Sequence, residues 1–390
     1  MLAHSPPLPL IIDYYKRDIT AEDGEQIFLA LEQRDRVYRI RLRLPVLKLQ
    51  RLITAIDEEY PILENLILAA PPEDKSTVLI LPETLQTPHL RHMSIRCSIP
   101  IRFQLLTTAV GLVTLHIGLY HPSTYFQPTV LLQLLSSMPQ LDMLLITFYF
   151  AVPNRNVERQ LRRRPITTHV TLPNLRTFVF KAVTTYSEAV LSRITAPRLE
   201  TFQIFYHKQL TFSVPQLLQF MGRTENFRFE HADVEFDSKT VCVRVNPAVT
   251  NILPLDAFFI EVNCWHFDWQ LSSMVQIFNV LGQIFSEVGS LTLAHETHDQ
   301  SSEEHNEVDR TEWRKLLRSF TNVKTLHIDN GLVRELSRCL PLEGGEDTLE
   351  LLPELQELTY SGSGNNNAFT SFIDARRNAG HPVALKKLPH

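Results

Sequence analysis

Glycine is scarce in this chain: 12 residues in 390, against 24 prolines. So little glycine leaves few candidates for phosphate-cradling loops, and neither the G-x-x-x-x-G-K-[ST] nor the G-x-G-x-x-G string occurs. Cysteine is scarcer still. Cys97, Cys242, Cys264 and Cys339 lie far apart, with no C-x-x-C pair. That spacing points away from a zinc site and a disulfide framework, toward four reduced, mostly buried thiols. Long hydrophobic runs are missing too. The most apolar stretch, "LDMLLITFYFAV" (Leu141–Val152), contains Asp142 and is too short to span a bilayer. "MLAHSPPLPLII" has no basic region and too short an apolar run for a signal peptide, and no N-x-[ST] acceptor occurs. A formal net charge of −5 gives no general pull toward nucleic acid or anionic lipid. The expectation is an intracellular protein, cytoplasmic or nuclear, with no nucleic-acid and no membrane partner.

What the chain does have is 44% hydrophobic and 21% charged residues, suited to a folded domain, and a beat. "LPNLRTFVF" (Leu172–Phe180) and "APRLETFQIF" (Ala196–Phe205) share the pattern apolar-x-x-apolar-x-apolar. It recurs from Val37-Ile40-Leu42 to Leu355-Leu358-Tyr360, twelve copies at intervals of 22 to 35 residues, with Thr224 standing in the first slot of the Phe227/Phe229 copy. In a strand, positions four and six of the beat share one face. A unit this short cannot bury its own apolar side and must stack on its neighbours. Pro173 and Pro197 precede two strands and favour an extended entry. Between beats the period changes: "VPQLLQFMG", "PTVLLQLLSSM" and "LSSMVQIFNVLGQIFSEV" carry helical apolar stripes.

These observations predict an α/β fold, a degenerate leucine-rich-repeat solenoid with a curved parallel sheet on one face and helices on the other. Residues 1–20 form an N-terminal extension and first edge strand. Residues 21–362 form the solenoid, with insertions near 231–250 and 295–310. Residues 363–390 form a tail with a short helix. "VCVRV" (Val241–Val245) reads as an additional strand.

No catalytic constellation is present: G-x-S-x-G and H-E-x-x-H are both missing. His295, His298, Asp299 and His305 are metal-ligating types, but they sit in "HETHDQSSEEHNEVDR", an acidic stretch without apolar anchors to hold ligand geometry. The expectation is no enzyme, no metal and no cofactor. The cluster Cys264, Trp265, His266 and Trp269 reads as core packing. "RNVERQLRRRP" (Arg155–Pro165), with five arginines, reads as a solvated loop. What remains is the outward side of the strands. It offers Arg39, Arg41, His92, Arg96, His116, Leu145, Lys181, Phe205, Arg228, Glu230, Phe259, Glu261, Asp329 and Glu357 as a candidate partner-binding face, graded from basic to acidic.

The stretch Thr171–Met221, with "PPLPLIIDYY" (Pro6–Tyr15) and "MPQLDMLLITFYF" (Met138–Phe150), resembles the degenerate leucine-rich-repeat regions of fungal F-box proteins. The resemblance covers most of the chain and names no catalytic residue. It implies a protein-binding scaffold that recognises substrates for a cullin-type ubiquitin ligase. No F-box pattern precedes Ser5, so Skp1 is implied as a partner only if an F-box exists upstream of this chain. The alternative is a ligase-independent structural or regulatory interaction module without Skp1 binding. The identity of the protein target is not encoded in the repeats.

Overall fold

The computed structural model describes residues 8–16, 18–71, 79–97, 109–224, 227, 229–246, 257–295, 310–341, 349–361 and 368–388. The architecture is mixed α/β, built on a large, open, mostly parallel sheet, with ten α-helices among the described residues. The chain divides into two compact units, Met1–Glu200 with Arg223–Glu225 and Thr201–Gly222 with Asn226–His390.

Unit 1 runs β1 (Leu10–Tyr14), α1 (Ala21–Leu31), β2 (Val37–Arg43), α2 (Val46–Ile53), β3 (Asn65–Ala69), β4 (His92–Arg96), β5 (Thr114–Leu119), α3 (Pro128–Ser136), β6 (Met143–Phe148), α4 (Asn154–Arg163), β7 (Val170–Thr171), β8 (Thr177–Ala182), α5 (Thr184–Leu191) and β9 (Ile194–Thr195). Its sheet is parallel throughout, in the order β1-β2-β3-β4-β5-β6-β8. β7 and β9 form a separate parallel pair. Helix starts follow local chemistry: Thr20 caps α1 by accepting from the Asp23 N–H at 3.0 Å, and Pro128 opens α3, where its missing N–H costs nothing.

Unit 2 runs β10 (Thr201–Tyr206), α6 (Pro215–Gly222), β11 (His231–Phe236), β12 (Thr240–Asn246), β13 (Phe258–Asn263), α7 (Phe267–Phe285), β14 (Ser290–His295), α8 (Arg310–Arg318), β15 (Thr325–Ile328), α9 (Asn330–Cys339), β16 (Glu357–Ser361), α10 (Thr370–Asn378) and β17 (Ala384–Leu388). The sheet order here is β10-β13-β12-β11-β14-β15-β16-β17. β12 is antiparallel to both neighbours, and the other pairs are parallel.

The beat has a physical form that repeats across both units. Its first leucine ends a turn: the N–H of Leu63, Leu90, Leu112, Leu141, Leu175, Leu199 and Leu355 each donates to the carbonyl three residues earlier, at 3.0–3.3 Å. That turn drives the leucine into the core, and the next residues enter the parallel ladder. Positions four and six are buried: Phe178, Phe180, Phe202 and Ile204 have no exposed surface. Helices close the apolar side, as the ring contacts Phe180–Tyr186, Phe202–Phe220 and Phe236–Phe267 show.

Eleven of the twelve predicted strands are present. The Phe227/Phe229 copy is displaced. Both rings are buried, but neither residue is in a strand; the ladder begins at His231 and is carried by Ala232, Val234 and Phe236. A tight turn then returns the chain through β12, with the Asp237 N–H donating to the Thr240 carbonyl at 2.8 Å. The predicted insertion near 231–250 therefore contributes, in its described part, two sheet strands. "VCVRV" is a strand as expected, and antiparallel. The tail holds the expected helix, α10, and an unforeseen last strand, β17. "RNVERQLRRRP" is the helix α4 rather than a loop, because Val157 and Leu161, four apart, give it an inward side. All four cysteines are buried thiols. Among the described residues no helix is long and apolar enough to cross a membrane.

Candidate functional site

Each strand has two sides. In the strands between the edge strands β1 and β17 the inner side is buried, and most residues of the outer side keep contact with solvent. Strand register lines the outer residues up into rungs about 4.8 Å apart from strand to strand.

In unit 1 one rung is Arg39, Asn65, His92, Thr114, Met143 and Thr177; the next is Arg41, Ile67, Ser94, His116, Leu145 and Val179. The third, at the C-terminal ends of the strands, is Arg43, Ala69, Arg96, Gly118, Thr147 and Lys181. Asp13 of β1 places a carboxylate on this face, 3.9 Å from Arg41 Nε, and the Tyr15 ring lies 5.8 Å from the Arg41 guanidinium. Arg39, Arg43 and Arg96 have no ion pair among the described residues. Two weak polar links cross the strands: His92 Nδ1 to Thr114 Oγ1 at 3.2 Å, and Ser94 Oγ to His116 Nδ1 at 3.4 Å. Burial, and then the neighbouring Arg96 charge, push the His116 pKa down to about 4, so the ring is neutral at pH 7.

An aromatic step stands at the third rung. Tyr120 and Tyr149 stack with centroids 4.3 Å apart and planes 8° from parallel, and Lys181 Nζ lies 5.9 Å from the Tyr149 ring. Gly118 lies directly beside it: a Cβ there would come into ordinary contact with Tyr149 Cε2 at 3.4 Å and Arg96 Cγ at 3.5 Å. Burial and the adjacent Tyr149 raise the Tyr120 hydroxyl to about 12, so this phenol is neutral at pH 7.

Unit 2's outer side pairs its charges. Its central rung is Gln203, Phe259, Arg244, Asp233, Thr292, His327, Thr359 and Lys386. Arg244 forms an ion pair with Glu235 and lies 5.8 Å from the Phe259 ring, which contacts Phe205 at 5.3 Å. His231 Nε2 meets Asp233 Oδ1 at 2.9 Å. Burial would raise the Asp233 pKa, but the His231 hydrogen bond and charge, with Thr292 and Arg244, outweigh it and hold it below its ordinary value. Lys386 Nζ meets Glu357 at 2.8 Å, and His327 Nδ1 meets Thr359 Oγ1 at 2.9 Å. Beside Cys242, Glu235 and Glu261 are its register partners on either side, and burial pushes its thiol to about 12.

The candidate residues therefore divide. Arg39, Arg41, His92, Arg96, His116, Leu145 and Lys181 share unit 1's outer side; Phe205, Phe259, Glu261 and Glu357 share unit 2's. Glu230 lies just before β11, its carbonyl accepting from the Gly289 and Ser290 N–H groups. Asp329 follows β15 and accepts from Ser361 Oγ at 2.7 Å. Arg228 lies outside the described residues, as do 296–309 of the predicted acidic insertion. The expected acidic end is not a bare one, because Arg244 and Lys386 neutralise carboxylates there. Arg244 was legible in "VCVRV", but only the register shows it facing outward; Lys386 sits in a strand with no apolar alternation to reveal it.

The Trp265 and Trp269 rings are a further correction. Cys264 is buried, but the indoles are 65% and 45% exposed, with Lys239 Nζ and Lys208 Nζ 5.9 and 5.0 Å from them. They sit on the loop leaving β13 and the first turn of α7, where outward side chains meet solvent instead of a helix. Gln270, buried beside them, ties that loop to the β11–β12 turn by donating to the Cys264 and Asp237 carbonyls at 2.8 and 2.7 Å. Among the described residues no group of three or more His, Cys, Asp and Glu could hold a metal ion.

Compared with known proteins, the chain matches no protein-family model and no curated protein.

Proposed function

We propose that the chain is a non-catalytic protein-binding scaffold, a degenerate leucine-rich-repeat solenoid of the kind that F-box adaptors use to recognise substrates. One observation carries the reading. Repeated turn-and-strand units bury one side of the sheet from β2 to β16, and the other side presents aligned rungs that carry arginine, histidine and aromatic side chains still in contact with solvent. Such a surface contacts a partner through many neighbouring units at once. It acts inside the cell, since its four thiols are unpaired and buried.

A photo-crosslinker placed at Val179 or Phe259, on the outer sides, captures the partner in this reading; one placed at Arg162 on α4 does not. Equal yields from all three positions would remove the sheet faces from consideration. The ligase role adds one requirement. Skp1 co-purifies with a gene product that carries an F-box upstream, and the captured partner is then ubiquitinated. Partner capture without either result selects the ligase-independent module.

A further inference from the structure

The third rung of unit 1 differs from every other row on the molecule's described faces. It alternates cations with small residues: Arg43, Ala69, Arg96, Gly118, Thr147, Lys181. Arg43 and Arg96 are exposed, and Ala69 between them is 5% exposed, a low floor under two guanidinium groups. Their strands are two spacings apart, about 10 Å. The described residues that directly follow these strands (44–45, 70–71, 97, 120–127, 149–154 and 183–184) include no Asp or Glu. The stacked Tyr120–Tyr149 pair closes the row as an aromatic wall, with Tyr149 47% exposed.

We propose that this rung is the docking line for an aspartate- or glutamate-rich segment of the protein partner, laid across the strands with its carboxylates between Arg43 and Arg96 and toward Lys181. The inference rests on the reading of unit 1's outer side as a partner surface. Guanidinium groups match carboxylates in geometry and release water more readily than ammonium groups do. The small residues let an extended backbone approach the sheet, and the tyrosine wall offers apolar contact beside the charges.

The test is fluorescence anisotropy on the full chain with a labelled twelve-residue peptide of alternating Glu and Ser, its Gln-Ser twin, and single-stranded DNA of similar charge. The Glu-Ser peptide binds, its affinity falls as salt rises, and the Gln-Ser twin binds at least about tenfold more weakly. The double variant Arg43→Glu/Arg96→Glu loses about tenfold or more; the milder Arg43→Gln/Arg96→Gln loses less and guards against misfolding, which circular dichroism checks. Arg162→Glu/Arg163→Glu on α4, the same change of charge away from the rung, binds like the parent. Equal binding of the Glu and Gln peptides overturns the proposal, as does an unaffected Arg43/Arg96 variant or binding of DNA alone. If crosslinking from Val179 captures a partner while the Glu-Ser peptide fails to bind, the scaffold stands and the acidic assignment falls.

Discussion

Unit 1 buries no arginine among its described residues and keeps Arg39, Arg41, Arg43 and Arg96 on the outer side of the sheet; its described buried polar side chains are the hydroxyl residues Thr87, Thr124, Thr184, Ser187 and Thr224. Unit 2 buries Arg314 and Arg376, 5% and 1% exposed, with Gln270, Thr201 and Ser273. Arg314 Nη1 donates to the Cys339 carbonyl at 3.3 Å and Nη2 lies 3.7 Å from Glu350; Arg376 Nη2 donates to the Pro353 carbonyl at 2.9 Å. In each case the guanidinium satisfies a carbonyl at the end of a helix or in the bend before β16, where no ladder supplies a donor. The same residue type thus serves two ends. Buried and bonded, it is a strut. Exposed without a carboxylate, it leaves a field for something else to neutralise.

The contrast concerns charge, not packing, and the largest predicted effects should therefore be alike in the two units. Phe178→Ala in unit 1 and Phe258→Ala in unit 2 each remove a fully buried ring at beat position four. Each should cost about 3–5 kcal/mol in chemical denaturation. A loss below about 1 kcal/mol at either site would show that its beat does not face the core. Next in size is Arg314→Ala, expected to cost about 2–3 kcal/mol, since it orphans the Cys339 carbonyl and removes a partner of half-exposed Glu350. An effect within about 0.5 kcal/mol would mean that water replaces the guanidinium, and the strut description would fail.

Much of this was legible from sequence because the beat is physically redundant. Leu175, Phe178 and Phe180 report a turn, a ladder entry and a core side at once, so eleven strands could be placed without knowing any contact. The displaced copy shows where redundancy ends. "FRF" has the right alternation, but "HADVEF" also alternates, with a small Ala232 in its first inward slot, and only pairing with β12 and β14 decides between them. The site was half legible. Outward positions follow from alternation, so Arg39, Arg41 and Arg96 could be named. Ion pairs across strands follow from register: β12 enters the sheet against chain order, which brings Arg244 to Glu235 and balances the acidic end. The exposed indoles were missed because an aromatic cluster in sequence looks the same whether it precedes a buried helix turn or an open one.

Acid should separate the units by the pH at which each responds. His116 is held neutral, its folded pKa near 4 below the ordinary 6.5, by burial and by Arg96 of β4; Ser94 and Leu145 are its other outer-side neighbours in register. A depressed histidine binds its proton in the unfolded chain first. Its contribution is therefore present above pH 6.5 and lost as pH falls toward 4. The full shift corresponds to about 3 kcal/mol, and partial solvent contact of the ring reduces the expected loss to about 1–2 kcal/mol. Asp233 in unit 2 is depressed below its ordinary 3.8, so its contribution is lost only below that pH. Thermal unfolding from pH 7 to 4.5 should flatten in His116→Gln and stay unchanged in Asp233→Asn over the part above pH 5. A parent-like slope in His116→Gln would show that the ring already titrates freely when folded.

The smallest effect tests the contrast most directly, because it asks what one reversal does on each face. Lys386 is bonded to Glu357 at 2.8 Å, across β16 and β17. Lys386→Glu removes an exposed pair worth about 0.2–1 kcal/mol and sets two carboxylates against each other, so a loss of about 0.5–1 kcal/mol is expected. Arg43 has Ala69 as its register neighbour on β3, Arg96 one strand further and Arg41 two residues back, with no carboxylate bonded to it among the described residues. Arg43→Glu breaks no ion pair among the described residues and relieves repulsion among like charges, so its effect should lie within about 0.5 kcal/mol of zero and lean toward stabilisation. Raising salt should shrink the Lys386→Glu loss and bring the two variants together. A measurable destabilisation by Arg43→Glu in chemical denaturation would mean that its charge is used within the fold after all, and the row it belongs to would no longer be open to a partner.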